Sequence, residues 1–146
     1  MFKQILSTHD NWSSLVIRVT LGLVIFPHGA QKLFGWFGGY GFSGTMGFFT
    51  ETMGIPAIFG LLAIIAESFG AIGLIVGLTT RIAAFGVGTT IGVAALMAHT
   101  QHGFFMNWYG QQAGEGFEYH LLVVGMAVAL VISGGGKWSL DRVLSK

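Results

Sequence analysis

The stretch from Gly54 to Thr80, GIPAIFGLLAIIAESFGAIGLIVGLTT, constrains this chain more than any other. A helix needs about 20 apolar residues to cross a bilayer, and this segment supplies them. Its one ionisable side chain, Glu67, lies near the middle. A carboxylate at that depth is expensive unless it is paired, protonated or turned toward a wet cavity. The remaining segments matter first for what they bring to Glu67.

The chain has 146 residues, 53% of them hydrophobic and 9% charged. That balance excludes an ordinary soluble domain and points to one compact integral membrane domain over residues 1–146. A net charge of +1 leaves no basic stripe to neutralise phosphates, so nucleic acid is not expected as a partner. The absence of cysteine excludes dithiol redox chemistry, disulfides, cysteine-ligated iron–sulfur clusters and covalent c-type haem. Redox chemistry in such a chain would need a bound cofactor or a diffusible carrier. The N-terminal MFKQILSTHDNWSSLVIRV does not read as a cleavable signal, because polar residues interrupt its apolar run.

Hydropathy places four spans, at about residues 12–34, 55–78, 82–101 and 117–133. The architecture expected is an all-α, four-helix antiparallel membrane bundle. Asp10 or Asn11 can cap the first span, and Pro27 lies within it. Arg18, Gly22, Ile25, Gly29 and Lys32 fall on one stripe of that helix, with His28 at its edge. Between the first two spans, Ser43 can cap a short interfacial helix carrying Met46, Phe49 and Met53 on one face. Pro56 suits the first turn of the second span. In the third, Gly88, Gly92, Ala95, His99 and His102 share a stripe. In the fourth, Glu118, Leu122, Gly125 and Ala129 line one face, and His120 points roughly the opposite way.

With four spans both termini share a side, which collects Lys3, Arg81, Lys137, Arg142 and Lys146. The positive-inside rule makes that side cytoplasmic and turns both aromatic loops outward. His28-Gly29 and His102-Gly103 each lead into Phe- and Trp-rich loops, a hint of a duplicated helix pair.

These residues resemble the DoxX family of small four-helix membrane proteins. The resemblance is carried by Arg18, Gly29, Lys32, Pro56 and Glu67, by LIVGLTTR (Leu74 to Arg81), and most specifically by GGGKWSLDR (Gly134 to Arg142). It implies a protein of the bacterial cytoplasmic membrane and an oxidoreductase tied to quinones or to thiosulfate:quinone oxidoreduction. The histidines are not part of that motif.

Two polar groups follow from the residues themselves. Arg18 and Glu67 come out at nearly the same depth when counted from their helix ends, about 18 Å for Glu67. An Arg–Glu pair there would satisfy both charges and serve either as a latch or as an anchor for a ligand or proton. Nearer the outer face, His28, Lys32, His99, His102 and Glu118 gather beneath Trp36, Phe37, Phe104, Phe105 and Trp108. Imidazole, ammonium and carboxylate in an outward-opening pocket suit a quinone headgroup, whose carbonyls accept hydrogen bonds. The bland alternative is a set of interfacial histidines bonded to loop carbonyls. A metal site would take His99, His102 and Glu118, against which Lys32 argues. A b-type haem would take His28 with His99. The glycines at 86, 88 and 92 have the wrong context for a nucleotide loop and read as helix packing.

Two function classes emerge. One is a quinone-linked membrane oxidoreductase component; the other is a non-enzymatic membrane subunit that scaffolds a partner or passes a small solute. A homo-oligomer fits either.

Overall fold

The computed structural model describes residues 6–145, which are helical with no strand among them. Helix α1 runs Trp12–Phe34, and the Asn11 side chain caps it by accepting from the Ser14 amide at 2.7 Å. Gly35, at φ 75°, ends it in the left-handed conformation that favours glycine. A short 3₁₀ turn at Trp36–Gly38 leads to α2, Gly41–Gly47, which continues as a π-helical turn over Phe48–Thr52. Helix α3 covers Ala57–Val76 and α4 covers Thr80–His102. Glu118–Ser133 form α5, and Leu140–Leu144 form a terminal turn of helix, α6.

Helices α1, α3 and α4 are each long and apolar enough to cross a membrane. Helix α5 is apolar but has 16 residues, about 24 Å at 1.5 Å per residue. Together they form a helical membrane bundle. Its core is Leu21 and Ile25 from α1, Ala71 and Leu74 from α3, Val87 from α4 and Leu130 from α5, all at most 1% exposed. Leu, Ile and Phe side chains are plentiful on the outside, as at Leu23, Phe69, Phe85 and Ile132. In lipid an exposed apolar side chain carries no penalty, so helix contacts fall to small residues.

Gly22 and Gly29 are those residues on α1. A Cβ on Gly22 would overlap Ile75 and the Ala71 carbonyl, and one on Gly29 would overlap the Glu67 backbone. Ser68 Oγ closes this crossing by donating to the Gly29 carbonyl at 3.1 Å. Gly88 plays the same part against Ala127 at the α4–α5 seam.

Three local expectations change. Ser43 does not cap α2, which begins at Gly41 after Tyr40 with no side-chain cap. Met46 and Phe49 do pack inward, over Gly60 of α3. Pro56 sits one residue before α3, where its carbonyl accepts from the amides of Phe59 and Gly60. The inward face of α5 consists of His120, Val123, Ala127 and Leu130 rather than the Glu118 stripe. That helix is apolar all round below its first turn, so its sequence gives little preference for one face.

Both ends of the described chain meet on one side. Asp10 accepts from Arg142 Nη1 and Nη2 at 2.6 and 2.8 Å, and Trp12 packs edge-on against Trp138 at 5.1 Å. Lys3 and Lys146, counted above toward the positive side, lie outside the described residues.

Candidate functional site

Arg18 and Glu67 do not pair. Arg18 is 1% exposed and spends its guanidinium on main-chain carbonyls. Nε donates to Gly135 at 2.8 Å, Nη1 to Leu74 at 3.0 Å and Ile75 at 2.5 Å, and Nη2 to Lys137 at 3.1 Å and Trp138 at 2.9 Å. An arginine has five N–H donors, and all five are used. Leu74 and Ile75 lie seven and eight residues beyond Glu67, roughly 11 Å farther along α3. The depth count failed because it took α1 and α3 to start at level membrane planes. Arg18 instead gathers the carbonyls that the end of α3 leaves without helical partners.

The C-terminal GGGKWSLDR forms the other wall of this cradle. Gly134 and Gly136, at φ 77° and 70°, turn the chain under α1. Ser139 caps α6 by accepting from the Arg142 amide, and the buried Asp141 accepts from the amides of Thr79 and Thr80 at 2.6 and 2.8 Å. A side chain on Gly77 would collide with Ser139 and the Arg18 guanidinium. The most specific motif in the sequence is thus a structural clasp around Arg18.

Glu67 pairs with Lys32. Nζ reaches Oε2 at 2.5 Å, with the Lys32 side chain 24% and the Glu67 side chain 4% exposed. Glu67 sits on a π-helical turn, Ala66–Gly70, which widens α3 where Gly29 approaches it. Such turns recur at functional sites. The pair satisfies a membrane-buried carboxylate that would otherwise be costly.

The histidines sort differently from their sequence stripes. His120, expected to face away, is 6% exposed and packs against His99 with ring centroids 4.0 Å apart and the planes tilted by 41°. Tyr119 contacts the His120 ring edge-on at 5.3 Å and lies 6.5 Å from the His28 ring. His28 is itself exposed but within electrostatic reach of both Lys32 and Glu67, and Tyr119 is within reach of Glu67. His99 Nδ1 bonds the Glu115 carbonyl at 2.9 Å. His99 ends a further π-helical turn, Ala95–His99. The structure therefore joins Lys32, Glu67, His28, Tyr119, His120 and His99 into one polar cluster. Two of its buried atoms, Tyr119 OH and His120 Nδ1, have no hydrogen-bond partner among the described residues.

His102 and Glu118 leave this group. The His102 ring lies against Gly114, and its Nε2 is 3.4 Å from Gln101 Nε2. Glu118 Oε1 accepts from the Met106 amide at 2.9 Å and Trp108 Nε1 at 3.0 Å, and so organises the loop before α5. Among the described residues no group of three or more His, Asp or Glu side chains is placed to hold a metal. The expected aromatic lid is open: Trp36, Phe37, Phe105 and Trp108 are all more than half exposed. A bowl of about 420 Å³ beside Tyr40, Phe48 and Glu51 and an apolar groove of about 280 Å³ between α4 and α5 both lie away from the cluster.

Sequence reasoning missed Tyr119 and His120. The available signal was the spacing of His120, Val123, Ala127 and Leu130, one helix face with its only polar residue at the end.

The DoxX family model matches residues 13–100. The inner membrane protein YqjF of Escherichia coli K12 is 31% identical over 132 residues, covering 90% of this chain and 92% of that protein. No solved structure matches the chain significantly. The family match takes in Arg18, Gly29, Lys32 and Glu67 together, and the relative extends over nearly the full length, so the chain belongs to the DoxX family.

Proposed function

We propose that this chain is the quinone-binding membrane component of an oxidoreductase, working in the bacterial inner membrane. One observation carries the reading: the Lys32–Glu67 ion pair, whose carboxylate is buried, lies within electrostatic reach of Tyr119, and the Tyr119 hydroxyl and the Nδ1 of neighbouring His120 are buried without hydrogen-bond partners among the described residues. A buried polar atom left unpaired costs about 1–3 kcal/mol, so a ligand that supplies the partner gains that much. A quinone carbonyl accepts from Tyr119 OH or Lys32 Nζ, and a quinol hydroxyl donates to a neutral imidazole. The headgroup would lie within the bundle with its isoprenoid tail in lipid. The chain has no cysteine to carry electrons, so a partner subunit supplies or removes them. This chain's residues bind and orient the headgroup and exchange its protons.

The test is binding of a short-tailed quinone analogue to purified protein, beside Lys32→Met and Tyr119→Phe. Each variant should bind about 5- to 150-fold more weakly, the equivalent of 1–3 kcal/mol. Wild type that binds nothing above detergent background, or variants that match it, would leave the scaffold role as the better account.

The same reading places both termini in the cytoplasm. Arg81, Lys137 and Arg142 lie on the terminal side, whereas Lys32 is engaged by Glu67. A reporter active only in the cytoplasm should give signal when fused after Lys146 and none when inserted at Gly38. Signal from the Gly38 insertion would reverse the orientation.

A further inference from the structure

We propose that Tyr119, His120 and His99 form a proton path from the Lys32–Glu67 pair to the aqueous face beside Glu115. The inference deepens the reading of the same site, but it concerns proton movement and fails or stands apart from quinone binding.

The path starts at a carboxylate and an ammonium 2.5 Å apart. Around them, α1 contributes His28 and Lys32, α3 Glu67, α4 His99, and α5 Tyr119 and His120. The nearby carboxylates Glu115 and Glu118 are committed to the loop, on the amides of Asn107 and Met106. From Glu67 the groups follow one another to His99. Tyr119 lies within reach of Glu67, its ring meets His120 at 5.3 Å, and His120 meets His99 at 4.0 Å. His99 then contacts the loop carbonyl of Glu115 in an exposed setting.

The chemistry of each member suits a relay. A carbonyl only accepts, so His99 Nδ1 carries the hydrogen in that contact, and Nε2 of the neutral ring is the acceptor. A proton arriving at Nε2 allows Nδ1–H to be given up at the surface. Among the described residues, His120 has a buried Nδ1 without a partner, and Tyr119 a buried hydroxyl without one. A histidine retained for packing would normally have its buried nitrogen bonded. These two atoms are instead open to hydrogen-bond a ligand hydroxyl or a water, which bridges relay distances longer than a direct bond. Imidazole exchanges protons near neutral pH, as a relay must. Toward the termini the cluster gives way to apolar core and the Arg18 clasp, whose donors are all occupied. The path therefore opens to one face only.

The experiment is a rapid pH jump on the protein in lipid nanodiscs, following the Glu67 carboxylate by time-resolved infrared absorption. Glu67→Gln assigns the band. His120→Phe removes the middle of the path. His99→Gln keeps an N–H for the Glu115 carbonyl and removes the exchangeable ring. Each should slow the Glu67 response at least tenfold, and added imidazole should restore much of the rate. A merely structural role for the rings would give no such rescue. An unchanged rate in both variants, a slowed rate that imidazole does not restore, or a wild-type band that ignores the jump would overturn the path. Quinone-analogue binding measured on the same samples separates the two readings. Slowed, rescuable exchange in a protein that binds no analogue keeps the path and removes the quinone.

Discussion

Arg18→Leu is expected to destabilise the bundle by about 3–5 kcal/mol. Five carbonyls, from Leu74, Ile75, Gly135, Lys137 and Trp138, would lose their donor at once, and the buried Asp141 would lose a positive charge within its electrostatic reach. Unlike a surface arginine, this one cannot be replaced by water, since its side chain is sealed at 1% exposure. Lysine offers three donors in place of a planar set of five, so Arg18→Lys should recover only part of the loss. Unfolding measured by denaturant titration in mild detergent checks this. The effect should be additive with Glu67→Gln within about 0.5 kcal/mol, because the two side chains share no partner. A loss below about 1 kcal/mol for Arg18→Leu, or strong coupling to Glu67, would show that the clasp is wrongly placed.

The second large effect is asymmetric. Lys32→Met should cost about 3–5 kcal/mol, because it strands a Glu67 carboxylate that is almost wholly buried. Glu67→Gln should cost less, about 1–3 kcal/mol. The Lys32 side chain is already about a quarter exposed, and its long stem can carry the ammonium toward the interface. The double variant should cost less than the sum of the singles by about 1–3 kcal/mol, the mark of a direct pair. Equal single losses that simply add would mean that Lys32 and Glu67 do not meet in the membrane.

The pair shows where sequence reasoning reaches and where it stops. A carboxylate inside an apolar span must be compensated, so the need for a partner was legible at Glu67 from its position alone. Which cation answers was not. Arg18 and Lys32 lie on the same stripe of α1, fourteen residues apart, and either could be chosen by helix counting. The choice depends on how far α3 slides along α1. That offset is set by contacts no single helix encodes: Gly29 against the Glu67 backbone, Gly22 against Ala71, and the π-helical turn between them.

The helix order, the membrane setting and the family were determined by the sequence itself. Apolar length fixes a span, and α1 has the bounds expected from hydropathy. Motif residues such as Arg18 and GGGKWSLDR carry the family in their identity and spacing. Only the tertiary structure decided the makeup of the site. A bilayer removes the hydropathy contrast that marks the inward face of a soluble helix. On α5 Leu122 and Val128 face out while Val123 and Ala127 face in, although all four are apolar. With that contrast gone, the rotation of α5 follows from its seam with α4, where Gly88 meets Ala127 and Gly92 approaches Val124. That seam brings His120 over His99 and turns Glu118 out to the loop, an outcome that requires both helices at once.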